Sequence, residues 1–285
     1  MIACMMCMAG AFAEDKLFGG EKVIFLKTKS IGVSAIIVTK NKKLIVMDGG
    51  LADDHVHLLE VLKQYGGTVS QWYISHAHSD HAYAILEINK KKPMPIKIEE
   101  VLYSFPPLEW IKENDKVNQE TAEATRIINE LPTIPARHTI IKKYDHFEID
   151  GVAIDVMNNY NLEVRHNSVN NASIAVKVHV GGKTILFTGD LGVEMGNVLV
   201  KELGDTLKAD IVVMAHHGQN GVGKNFYERV KPSICVWPTP EWLWENNNGG
   251  GPGSGSWRTN YVKCWMQDLG VKRHYPTFKG DVVLK

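Results

Sequence analysis

The stretch Ser75-His76-Ala77-His78-Ser79-Asp80-His81 sets four side chains of metal-ligand type within six residues. It follows the run Thr68 to Ser75, whose apolar, aromatic and β-branched content reads as a strand. On the loop after that strand, His76 and His78 can turn the same way to hold one metal, while Asp80 and His81 point to a second position beside it. The bland alternative is a surface turn rich in His, but chance rarely spaces imidazoles and carboxylates this way.

Three more segments place a polar ligand directly after a buried strand. Leu44 to Met47 delivers Asp48-Gly49-Gly50, Thr184 to Thr188 delivers Gly189-Asp190, and Ile211 to Ala215 delivers His216-His217-Gly218. Taken singly, these are ordinary turns. Their joint order gives them weight, and each Gly lets backbone crowd close to an occupied site.

Around these points the chain reads as two β-rich halves, each finished by helices. Val23 to Leu26, Ile36 to Val38 and Leu44 to Met47 form a meander with a turn at Asn41-Lys42. Asp53 caps a helix with Leu58, Leu59, Leu62 and Tyr65 on one face, and Gly66-Gly67 stops it. Pro106-Pro107 introduces one long polar helix through about Leu131. Hairpins follow across Asp150-Gly151 and Gly181-Gly182, the second with arms Ser173 to Val180 and Thr184 to Thr188. A helix from Val193 to Leu203, the strand Ile211 to Met214 and a helix near Asn225 to Val230 come next. The pattern predicts an α/β protein in which two packed, mixed β-sheets are flanked by helices, an αβ/βα layering of four.

The 285 residues are 44% hydrophobic and 22% charged, ample for one large core. Lys plus Arg and Asp plus Glu both number 32, so no global field recommends nucleic acid or an anionic membrane. Residues 1–13 resemble the hydrophobic part of a secretory signal, with small residues at Ala11-Phe12-Ala13 and Glu14-Asp15-Lys16 beyond. No Lys or Arg precedes them, so the basic start of such a signal is expected upstream of Met1. The expectation is an exported protein, periplasmic or extracellular, whose single folded domain is 14–285. Cys4 and Cys7 fall in the leader, and Cys235 and Cys264 are expected to pack rather than pair.

With Asp48, the His76 to His81 cluster, Asp190 and the His216-His217 pair in this order, the chain resembles the metallo-β-lactamase superfamily over nearly all of Lys22 to Lys285. The resemblance implies that His76 and His78 bind a first metal, Asp80 and His81 a second, and Asp190 bridges both. Asp48 would fix the cluster loop through hydrogen bonds without binding metal. Either His216 or His217 would be a ligand; the other would donate a proton or bind the developing oxyanion. Where the family usually has its third-motif His, this chain has Val169, with His166, Asn170 and Asn171 as nearby candidates. Asn170-Asn171-Ala172-Ser173 and His216-His217-Gly218 look most like the branch of the competence protein ComEC hydrolase domain and the bacterial phosphorylcholine esterases, which often lack that His. The first metal would then be the weaker one.

The implied cofactors are two divalent metal ions; mixed His and Asp donors without Cys favour zinc, and manganese or iron suits the same set. The implied chemistry is hydrolysis by a metal-bridging hydroxide oriented by Asp80. The leading reading is a secreted phosphodiesterase acting on a small-molecule or envelope-derived substrate. A second is a hydrolase of a lactam, lactone or thioester, and a third is a degenerate binding or sensing domain. Trp242 and Trp244, in the long segment after Trp237, are candidates to stack on an organic group or cage a quaternary ammonium. His274 is a further candidate for substrate contact. His55, His57 and Lys90-Lys91-Lys92 read as surface or packing residues.

Overall fold

The computed structural model describes residues 17–115 and 119–285. The expected leader, with Cys4 and Cys7, lies outside the described residues.

The opening meander is present as β1 (Lys22–Phe25), β2 (Ser34–Val38) and β3 (Leu44–Asp48), paired antiparallel. Helix α1 (His55–Gln64) then leads to β4 (Thr68–Ile74), parallel to β3. Asp54, not Asp53, serves the entry to α1: its buried carboxylate accepts Leu51 N at 2.7 Å and Lys29 N at 2.6 Å. After α2 (Ser79–Lys90), the short β5 (Lys97–Ile98) and β6 (Glu100–Tyr103) both run parallel to β4. The single long helix expected after Pro107 is two, α3 (Leu108–Asn114) and α4 (Gln119–Glu130). The break has a local cause: Asn114 Nδ2 donates back to Trp110 O at 2.7 Å, ending α3, and Asp115 Oδ2 accepts Thr121 N at 2.7 Å, starting α4. β7 (Arg137–Ile140) completes this half.

The second half opens with the hairpin β8 (His146–Ile149) and β9 (Val152–Val156), then the single turn α5 (Ser168–Asn171) and the hairpin β10 (Val176–Val180) and β11 (Lys183–Phe187). Helix α6 (Val193–Leu203), β12 (Ile211–Val213), α7 (Lys224–Val230), β13 (Ile234–Trp237), the short α8 (Glu241–Trp244), α9 (Thr259–Asp268) and β14 (Arg273–Pro276) follow. β15 (Val282–Leu284) returns to pair with β1. One sheet has the order β15-β1-β2-β3-β4-β6-β7, with β5 on β4, and the other β14-β13-β12-β11-β10-β9-β8.

Period-two alternation explains the layering. Ala35, Ile37, Ile45 and Met47 face the second sheet, where Val176, Val178, Ile185, Phe187 and Val213 meet them. Their neighbours Ile36, Val38, Leu44 and Val46 point the other way, against Leu58, Leu62 and Ile85 of α1 and α2. On the far sheet Leu186, Val212 and Cys235 face outward to Leu199, Phe226 and Met266 of α6, α7 and α9. Strands this apolar on both faces require cover on both sides, which gives helix, sheet, sheet, helix. Cys235 and Cys264 are free, Cys235 being buried. Among the described residues no helix is long and apolar enough to cross a membrane.

Candidate metal centre

The strand ends that carry the four sequence segments meet at one edge of the sandwich. From the first sheet come Asp48 at the end of β3 and the loop between β4 and α2; from the second come Asp190 after β11 and His217 after β12. Asp80, His81, Asp190 and His217 form one group whose ligand atoms all lie within 4.8 Å of one another, and His76, His78 and Asp190 form another. Asp190 belongs to both.

Three of the imidazoles are oriented by what their Nδ1 atoms meet. His81 Nδ1 donates to Asp48 Oδ2 at 2.8 Å, His217 Nδ1 donates to Pro238 O at 3.1 Å, and His76 Nδ1 is 3.0 Å from Ser75 Oγ. Each partner leaves the Nε2 lone pair free, which is the arrangement that metal-binding His residues need. The freed atoms converge. His81 Nε2 is 3.2 Å from Asp190 Oδ1, and His217 Nε2 is 3.0 Å from Asp80 Oδ2 and 3.2 Å from Asp190 Oδ2. Yet His81 Nε2, His217 Nε2 and Asp190 Oδ1 are buried without a hydrogen-bond partner. Polar atoms that approach so closely without hydrogen-bond angles are aimed at common points between them, and a divalent cation at each point would satisfy them all. His76 Nε2 and His78 Nδ1, 3.0 Å apart, likewise need a proton or a cation between their lone pairs.

The electrostatics agree. Burial disfavours charge on His81 and His217, but nearby carboxylates together outweigh it: Asp190, Asp48 and Asp80 hold His81 well above its ordinary value, and Asp190 and Asp80 hold His217 at about 9. Asp190 itself is pulled well below the carboxylate range against its burial, by His217 and then His81. Protons on imidazoles thus stand where a cation's charge would otherwise balance the carboxylates. His76 is held well below its ordinary value by burial and by the neighbouring His81 and His78.

The backbone is bent to make this possible. Asp48, His216 and His217 have φ of 55°, 49° and 56°, left-handed values that cost on the order of 1 kcal/mol each for residues with a Cβ. Gly189, at φ 51°, is where no side chain fits: a Cβ there would lie 2.9 Å from the Ser173 Cβ and 3.0 Å from the Ser75 Cβ. That close approach brings the two sheets' loops together. Ser173 Oγ then accepts Asp190 N at 2.9 Å, and Gly189 O accepts His216 N at 3.1 Å.

The remaining candidates separate. Of the His pair, His217 enters the metal-ligand group; His216 stands at its edge, Nε2 3.8 Å from Asp190 Oδ2, and lines a cleft of about 400 Å³. His166 joins neither group: it is exposed, and its Nδ1 is 3.0 Å from Glu194 Oε1. Val169 is buried in the outer core of the first half. Asn171 is consumed in structure, accepting Gly192 N at 2.9 Å and donating to His166 O at 2.8 Å, whereas the buried Asn170 Oδ1 has no partner. Trp244 corrects the expectation of an aromatic cage, for it is buried edge-on against Trp237, ring centroids 5.3 Å apart, with Lys263 Nζ 3.9 Å over its ring. Trp242 is more exposed and packs on Trp257 at 4.9 Å. His274 has both nitrogens engaged, by Trp237 Nε1 and Val271 O, each at 3.2 Å, which makes it a packing residue of β14. Ser75 escaped notice in the sequence although its Oγ meets Asp48, His76 and His81; nothing distinguishes it there from a strand-end Ser.

Residues 30–229 match the family model of the metallo-β-lactamase superfamily, and the chain belongs to that superfamily, whose members are generally metal-dependent hydrolases. A stretch of 70 residues is 33% identical to the ComE operon protein 3 of Bacillus subtilis (strain 168), covering 24% of this chain and 9% of that protein. Among solved structures, the chain is similar to the metallo-β-lactamase fold protein YhfI from Bacillus subtilis, with a TM-score of 0.56 and 9% identity over 93% of this chain and 99% of that one. It is also similar to Zn²⁺-bound PqqB from Methylobacterium extorquens, with a TM-score of 0.53 and 8% identity over 93% and 99% of the two chains. A third is the diiron β-hydroxylase CmlA from Streptomyces venezuelae, with a TM-score of 0.54 and 10% identity over 94% of this chain and 54% of that one. At these identities the likeness establishes the fold.

Proposed function

We propose that the protein is a hydrolase of phosphodiesters that works with two zinc ions, one held by His76, His78 and Asp190 and the other by Asp80, His81, Asp190 and His217. The observation that carries this reading is Asp190, one buried carboxylate shared by two convergent sets of donors whose facing atoms have no other partner. Two divalent cations there would supply a nucleophile from water near neutral pH and polarise the scissile group. Two adjacent cations suit displacement at phosphorus because attacking and leaving oxygens can both be stabilised, and the resemblance to the ComEC and phosphorylcholine esterase branch supports the same substrate class.

The chain's own residues have separable tasks. Asp80, facing His217 and His81, is placed to orient the attacking water. Burial holds His216 below its ordinary pKa, so it stays neutral near pH 7, and its Nδ1 has no partner. Lining the cleft, His216 can hold a leaving-group oxygen there. Export, with cleavage after Ala13, belongs to the same proposal and rests on residues 1–13 alone.

Purified protein with measured metal content, assayed against phosphodiester, phosphomonoester, lactam, lactone and thioester substrates, tests the reading. Metal-dependent turnover fastest with a phosphodiester is the expected result. Preference for a lactam, lactone or thioester would move the assignment to carboxyl chemistry, and binding without turnover of any class would make the domain a sensor.

A further inference from the structure

The cleft beside His216 is lined also by Glu120, Arg165, His166 and Ser168. Most of its ionisable groups have partners within the protein. Asp115 accepts Thr121 N, Glu120 Oε1 is 3.9 Å from His78 Nε2, and His166 pairs with Glu194. Arg165 differs: among the described residues it has no carboxylate within ion-pair distance and no hydrogen bond, although two carboxylates line the same cleft. His216, whose Nε2 is 3.8 Å from Asp190 Oδ2, lines the same cleft, so Arg165 and the edge of the metal-ligand cluster share one opening. A guanidinium presents a planar fork of donors that matches a carboxylate or phosphate, and a cleft strengthens its field.

We propose that Arg165 selects substrates carrying an anionic substituent, carboxylate or phosphate, beside the group held at the metal centre. The inference rests on the hydrolase reading and deepens it. Arg165 grips the substituent in the cleft that it shares with His216, while the scissile group sits at the metal-ligand cluster beside His216. Arg165 is therefore a specificity residue, not a catalytic one.

Calorimetry on the zinc-loaded protein with phenylphosphonate and its 3- and 4-carboxyphenyl analogues tests this without requiring turnover. At least one carboxylated ligand should bind roughly tenfold more tightly than the parent, the range for a hydrogen bond to a charged group. Arg165→Ala should abolish that preference with phenylphosphonate affinity and metal content unchanged, and Arg165→Lys should restore part of it. Equal binding of all three ligands by the wild type, no binding of any, or a preference that survives Arg165→Ala overturns the proposal. A preference lost in Arg165→Ala, in a protein that turns over no phosphodiester, would retain this role for Arg165 and sink the phosphodiester reading alone.

Discussion

Asp48 Oδ2 and His81 Nδ1 are 2.8 Å apart, both residues buried, and this pair fixes which nitrogen of His81 faces Asp190. The other Asp48 oxygen accepts Ser75 N at 2.8 Å, so one carboxylate sets both the His81 tautomer and the start of the cluster loop. Asp48→Asn keeps the shape and tolerates the left-handed φ of 55°, but its amide would donate where Asp48 accepts. The proton of His81 would then move to Nε2 and compete with metal. Asp48→Asn should fold normally and lose about 10- to 100-fold in affinity at the Asp80–His81 position, read by metal titration. Unchanged affinity would show that His81 does not depend on Asp48.

Asp190→Ala and His166→Ala should behave very differently. The first removes the carboxylate common to both donor groups and should empty both positions in elemental analysis, with activity lost. The second removes an exposed side chain paired with Glu194 and should leave metal content intact, with activity within about threefold. Equal losses would return His166 to the centre.

Metal affinity should rise with pH. Without metal, His81 and His217 carry protons at pH 7, since both are held above their ordinary value of 6.5, and metal must displace them. Proton release on binding, measured in buffers of different ionisation enthalpy, should be substantial at pH 7 and small well above pH 9. For the metal-free protein the sign is opposite. His217 has a folded pKa raised from 6.5 to about 9, so its contribution to stability is complete below 6.5 and is lost as pH rises through about 9. The melting temperature of the metal-free protein should therefore fall between pH 6.5 and 9 more steeply than that of the metal-loaded protein. Parallel curves would contradict the proton-for-metal exchange.

Trp244→Ala should cost about 3–5 kcal/mol of stability, as expected for a buried aromatic, and lower activity evenly across substrates. Trp242→Ala, at a residue 37% exposed, should cost much less. Denaturant unfolding distinguishes them, and a selective loss for quaternary-ammonium substrates in Trp244→Ala would restore the cage.

Expression with an upstream basic start should yield an exported chain beginning at Glu14, as mass spectrometry would report. Retention of residues 1–13 in the cell interior would end the export proposal.

How much of this was legible in the sequence differs by element. The succession of two β-rich halves, each finished by helices, and the order of Asp48, the His76 to His81 cluster, Asp190 and His216-His217, are linear patterns; they foretold the layers and which segments would meet. The division between His216 and His217 was not legible, because it follows from two successive left-handed residues that swing adjacent imidazoles apart. Trp244 misled for a related reason. In a segment rich in Gly and Asn an aromatic reads as exposed, whereas the short α8 turns this one back onto Trp237. Asn171 gave no sign that its amide would be spent on the start of α6.

Asp190 and His217 lie more than a hundred residues beyond His76 and come from the other sheet. Neither donor group of four or three is complete without them. A nascent chain that has emerged only through β7 therefore offers an entering cation a partial set of ligands. Full-strength capture would have to wait until the second sheet has been made and has docked, so metal loading would be a late event in the protein's maturation, and the bound ions would act as a clasp between halves that were synthesised apart.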